Sequence, residues 1–160
     1  MNFLRFLVLV SLAIWIGSLV FFPMVAQTSF SVLPSPHEAG LVVGGALTKL
    51  HWMGIVSGVV FLLCCLIYAR VALGRAGMFA LAEALVVLML VLTAVSQFVI
   101  IPRMDSLRAS AGEISSLALS NPVRTEFDSL HAWSVRMEQA VLVLGLVALY
   151  SVASRLYKRA

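Results

Sequence analysis

Apolar residues fall into four blocks along this chain, residues 6–26, 52–69, 84–101 and 140–153, and none of the blocks carries a Lys, Arg, Asp or Glu. A helix needs about 18–20 apolar residues to cross the hydrocarbon core of a bilayer. The first three blocks reach or approach that length, and the fourth does so once residues 130–139 are counted with it. The pattern predicts four membrane helices, with spans near residues 3–29, 50–70, 78–101 and 130–154.

Local signals refine the ends. Ser35-Pro36-His37-Glu38 reads as a capping box with proline at the first helical position. Asn121-Pro122 supplies a cap and a first-turn proline for the fourth helix. Helices two and four should therefore begin well beyond the bilayer on the outer side. Pro23 is tolerable inside a membrane helix, a break follows at Leu33-Pro34, and residues 71–77 form a tight turn. Pro102 is expected to end helix three and open the longest polar loop, residues 102–121, bending at 109–112. With no repeat, low-complexity tract or linker, residues 1–160 read as one all-α integral membrane domain, a four-helix antiparallel bundle.

Composition agrees. Hydrophobic residues make up 62% of the chain and charged residues only 11%, against roughly 25% charged in soluble domains. Arg5, Arg70, Arg75, Arg155, Lys158 and Arg159 gather on the side of the two termini, with Glu83 as the one nearby acid. Lys49, Arg103, Arg108 and Arg124 on the other side are balanced by Glu38, Asp105, Glu113, Glu126 and Asp128. The excess of basic residues predicts cytoplasmic termini in a cell (inner) membrane. The net charge of +4 then reflects topology and contact with anionic lipid, and without a basic patch interleaved with aromatics it does not indicate nucleic acid. The opening Asn2-Phe3-Leu4-Arg5 imitates a signal peptide. The apolar run exceeds the usual ~7–15 residues and lacks a small-residue cleavage site, so an uncleaved first span is expected.

Candidate chemistry concentrates in the last third. Arg124, Asp128, His131, Ser134 and Glu138 share a narrow angular sector at about 100° per residue and lead into the fourth apolar block. Polar groups entering a membrane helix face a partner, water or a ligand. On helix two, Gly40, Gly44, Gly54 and Gly58 share a face with Thr48 and His51, a small-residue seam suited to close helix packing. Thr93 and Gln97 share a face of helix three. These place a polar cluster of His131, Ser134, Glu138, His51, and Gln97 or Arg103 at the outer end of the bundle.

Three functions suit that cluster: a non-enzymatic membrane protein binding a small ligand or partner there, a haem- or copper-binding redox protein, or a small accessory subunit of a larger complex. Glu138 could carry a proton or cation, or it could be a structural tie to Arg136, Arg103 or His131. In the metal reading, His51 and His131 on different helices are the ligands; Glu138 would add a carboxylate suited to zinc or copper(II), and Met104 a thioether that favours copper(I). Self-association or a larger complex would suit a transport role, since four helices are few for a carrier and no inverted repeat is visible. Cys64 and Cys65 are adjacent, point about 100° apart and read as inert core thiols. Glu83 benefits from its helix start and has Arg70 and Arg75 within reach. No oxyanion device accompanies His131 and Ser134, and no phosphate-cradling loop occurs, so an enzyme is not expected.

Trp15-Ile16-Gly17 with Phe21-Phe22, Pro102-Arg103-Met104, Phe127-Asp128-Ser129-Leu130-His131-Ala132-Trp133-Ser134, and Gly145-Leu146 together resemble the transmembrane-protein-205-like family, the domain of unknown function numbered 4149, in a bacterial-type form. The resemblance implies a four-span bundle and no established catalytic activity. The eukaryotic relatives' association with tolerance of platinum drugs suggests export or trafficking and assigns no residues. The family positions it implies here are Trp15, Gly17, Pro102, His131 and Ser134.

Overall fold

The computed structural model describes residues 2–71 and 80–157. Helix α1 spans Asn2–Val32, α2 Pro36–Val71 and α3 Ala80–Val95. A π turn, Ser96–Ile100, carries α3 straight into α4, Ile101–Ala111, and a 3-10 turn at Ile114–Ser116 precedes α5, Pro122–Tyr157. Four rods result, with α3 and α4 acting as one, and each is long and apolar enough to cross a membrane. The protein is an all-α, multi-pass membrane protein. The end holding the 33–35 link and the 112–121 loop is termed the loop end below. Of the turn expected at 71–77, Val71 is the last residue of α2; residues 72–77, the first residues of the third span, Lys158 and Arg159 lie outside the described residues.

The caps form as their sequences require. The Glu38 backbone N–H donates to Ser35 Oγ at 3.1 Å, and the Val123 N–H donates to Asn121 Oδ1 at 2.9 Å. Pro102, however, does not end helix three. A proline ring collides with the carbonyl four residues back in a regular helix. Here the preceding turn widens, and the Ile101 N–H donates to the Ser96 carbonyl, five residues earlier. The helix then runs on to Ala111, so the expected loop of 102–121 shrinks to 112–121. Gly112, at φ 68°, makes the bend.

Each rod buries one stripe with alternating steps of three and four, the spacing of left-handed helix packing. On α1 it holds Val8, Leu12, Trp15 and Leu19; on α3 Ala82, Val86, Met89 and Thr93; on α5 Val141, Gly145, Ala148 and Val152. Facing outward instead are Val91, Phe98, Val143 and Leu146, a belt of exposed apolar side chains that suits lipid. Lipid tails are as apolar as leucine, so close packing and interhelical hydrogen bonds carry the association. The glycine seam of α2 serves that packing within the chain. A Cβ on Gly54 would meet Trp15 Cε2 at 2.7 Å, and one on Gly58 would meet Trp15 Cζ3 and Leu90 Cδ2 at 2.8 Å. Gly17, the other half of the Trp-x-Gly pair, has nothing within 4 Å and points away from the core. Cys64 and Cys65 are buried free thiols. At the end opposite the loops, Arg5 donates to the Tyr68 hydroxyl at 3.1 Å and lies over its ring.

Candidate functional site

The buried stripes of α2, α3 and α5 are apolar for most of their length and turn polar towards the loop end. On α5, Val141, Gly145 and Ala148 give way to Glu138 and Ser134 one and two turns earlier. On α2 the stripe reaches His51, and on α3 it ends in Thr93, Ser96 and Gln97. Antiparallel packing brings the three polar stretches to one level. His51 lies at its centre, with a side chain only 1% exposed.

Both imidazole nitrogens are engaged across helices. His51 Nδ1 lies 2.9 Å from Gln97 Oε1 on the π turn, and Nε2 lies 2.6 Å from Glu138 Oε1 on α5. The Glu138 side chain is itself only 15% exposed. The π turn that accommodates Pro102 is also the element that presents Gln97. Beside this contact, Trp52 and Phe98 meet edge to face with ring centroids 6.1 Å apart, each adjacent in sequence to a member of the triad. The hydroxyls of Thr93 and Ser96 are buried and make no hydrogen bond among the described residues.

Hydrogen-bond bookkeeping limits the proton states. With the Gln97 carbonyl oxygen against Nδ1, that nitrogen carries a hydrogen, and one further proton is shared between Nε2 and the carboxylate. Removing the shared proton in place would leave a ring lone pair facing a carboxylate. If the Gln97 amide turns over, its N–H donates to Nδ1 while Nε2–H donates to Glu138, and every group is again satisfied. Gain or loss of one proton is thereby tied to the orientation of one amide.

Of the expected cluster, the structure joins His51, Gln97 and Glu138, and buries Ser134 one turn from Glu138. His131 does not join them. It keeps its place on the α5 stripe but lies two turns, about 10 Å, nearer the loop end, where it is exposed. Arg103 is also outside the cluster, because α4 buries Ile101, Met104 and Leu107 and so turns Arg103 outward. There it grips Glu126 with two hydrogen bonds, of 2.6 and 3.0 Å. The Arg103 guanidinium holds the Glu126 carboxyl below the usual range by that hydrogen bond. Arg136 stacks on Trp133 instead of pairing with Glu138. Arg124 donates to the carbonyls of Leu117 and Ser115 and pairs loosely with Asp128, tying down the loop.

The structure does not bring together the two histidines of the haem or copper reading. Both nitrogens of His51 are committed to neighbours, and His131 lies on another level with an exposed side chain. No group of three metal-ligating side chains assembles among the described residues. The Ser96 hydroxyl was not anticipated from the sequence, because its burial depends on the π turn. Arg108 was read only as a charge. Its guanidinium lies beside Gly40 and Gly44 at ordinary van der Waals distance, a neighbourhood that only the packing of α4 against α2 reveals.

A four-helix membrane bundle with a partly buried His–Glu contact between helices is the class that fold and site define. Residues 10–113, about two thirds of the chain, match DUF4149, a domain of unknown function, and the chain belongs to that family. The Phe-x-x-Leu-His-x-x-Ser piece at 127–134 lies beyond the matched stretch. Comparisons with curated proteins and with solved structures return no match.

Proposed function

We propose that this is a non-enzymatic membrane protein whose small ligand is a proton, held at His51–Gln97–Glu138, and that its protonation sets how α2, α3 and α5 pack at the loop end. The observation that carries this reading is the 2.6 Å contact between His51 Nε2 and Glu138 Oε1, formed between helices by a buried imidazole and a carboxylate only 15% exposed. Ionisable groups at such depth are costly, and those that occur in membrane proteins serve proton and ion pathways above all. Histidine is suited to the task because either ring nitrogen can donate or accept, so the ring can pass a proton between its two neighbours. The hydroxyls of Thr93 and Ser96, which have no hydrogen-bond partner among the described residues, lie on the same stretch as Gln97 and supply further hydrogen-bonding capacity to the layer.

The termini are assigned to the cytoplasm. Arg5 and Arg70 lie at the end opposite the loops, and the acids Glu38, Asp105, Glu113, Glu126 and Asp128 all belong to the loop end, which supports that orientation. A reporter fused to residue 160 should be active only in its cytoplasmic form.

Proteoliposomes carrying a pH-sensitive dye and an imposed potassium diffusion potential test the function. Proton movement above that of empty vesicles is expected, and Glu138→Gln and His51→Asn should abolish it while circular dichroism stays helical. Infrared difference spectra of wild type should show a carboxyl band that responds to pH and is lost in Glu138→Gln. Absence of both signals from well-folded wild type would reduce the triad to a structural tie.

A further inference from the structure

A second polar feature lies nearer the loop end and is independent of the triad. Between the first turns of α2 and the end of α4 is a cleft of about 540 Å³, lined among others by His37, Gly44, Thr48, Asp105 and Arg108. That volume falls in the roughly 300–1,000 Å³ range of small-molecule sites. Arg108 is held on three sides. Its guanidinium lies beside Gly40 and Gly44, where an added Cβ would sit at ordinary van der Waals distance, 3.5 and 3.4 Å, from its nitrogens. Its Cζ lies 4.9 Å over the Phe127 ring, and its NH1 donates to Asp105 Oδ1 at 3.3 Å.

The side chain is thus only 17% exposed, yet that long bond is its one hydrogen bond among the described residues. A guanidinium fixed in place with most of its five donors unspent is a preorganised receptor for an oxyanion. Asp105 on the same wall, 61% exposed, offers a carboxylate to a cation beside that anion. The cleft therefore suits a molecule bearing a phosphate and an ammonium a few ångströms apart.

Position selects the source. Thr48 and Arg108 lie just beyond the spans expected at 50–70 and 78–101. At about 1.5 Å per residue that is the depth of the lipid headgroup layer. Leu41 lines the cleft and is about half exposed, giving the polar cleft an apolar edge on the outward side of α2. We infer that this cleft binds an ethanolamine phospholipid, its phosphate on Arg108 and its ammonium on Asp105, with the acyl chains leaving past Leu41 into the bilayer.

The test is competition on the whole protein in detergent, read by thermal unfolding and native mass spectrometry. Dioleoyl phosphatidylethanolamine should bind and raise the unfolding midpoint, with roughly tenfold preference over dioleoyl phosphatidylcholine, whose quaternary ammonium cannot donate to Asp105. Asp105→Asn should bind both lipids alike, and Arg108→Gln should bind neither. Equal binding of the two lipids by wild type, or full binding by a folded Arg108→Gln, would overturn the inference. So would protection by free phosphoethanolamine or inorganic phosphate equal to that of the lipid, which would mark a site for a soluble phosphate. If Arg108→Gln does not fold, the wild-type preference and its loss in Asp105→Asn decide the matter.

Discussion

His51 and Glu138 stand 87 residues apart in the chain and 2.6 Å apart in the bundle. They join α2 to α5, while Gln97 joins the same imidazole to the π turn. Removing Glu138 leaves His51 Nε2 buried without its partner, although Nδ1 keeps its contact with Gln97, at a cost of about 1–3 kcal/mol. Glu138→Ala should therefore lower stability by about that amount in a mixed-micelle unfolding titration. Glu138→Gln keeps a group able to bond Nε2 and should lose less. A double-mutant cycle with His51→Ala should return a coupling of about 0.6–1.7 kcal/mol, the range of interhelical hydrogen bonds in membranes. Additive single effects would mean the contact does not form.

Gly54 and Gly17 provide a matched pair. Alanine at 54 drives a methyl into the Trp15 indole and should cost about 1–3 kcal/mol through overpacking. Alanine at 17 meets nothing and should be neutral or stabilising by up to about 1 kcal/mol, the helix-propensity difference. Both are measured by detergent unfolding, and Trp15 fluorescence should move only in Gly54→Ala.

The Arg103–Glu126 pair predicts an acid-side pH dependence. The folded carboxyl of Glu126 is lowered, first by the hydrogen bond from Arg103. Its contribution is present above the ordinary glutamate value of about 4.3 and is lost as pH falls through the lower folded value. Glu126→Gln should remove this part of the stability slope between about pH 5 and 3. Because the pair is exposed, salt should flatten the wild-type slope towards that of the variant.

Pro102→Ala restores a donor and removes the ring that the π turn accommodates. The turn should tighten towards a regular helix and rotate Gln97 away from His51. In protein labelled with ¹⁵N-histidine, the His51 Nδ1 resonance should shift while that of exposed His131 stays put. An unmoved Nδ1 signal would show that the turn is held by packing alone.

Much of this was legible in one dimension. The four apolar blocks, both proline-led caps and the polar stripe of α5 follow from composition and helical period. So does the inward position of His51, Ser134 and Glu138. The continuation past Pro102 was not legible, because a proline alone does not say whether its helix stops or widens. His131 illustrates the same limit at the site. Its angle on α5 matches that of Glu138, yet it lies exposed two turns away.

The sequence by itself determined how many helices cross the membrane and which face of each is polar, since angular position repeats with local geometry. Only the tertiary structure decided which polar groups meet. Depth and partner depend on how far each rod slides past its neighbours, on Trp15 seating in the glycines of α2, and on the π turn that aims Gln97. Those offsets are set by contacts between residues distant in the chain, so His51 finds Gln97 and Glu138 while His131 is left at the surface.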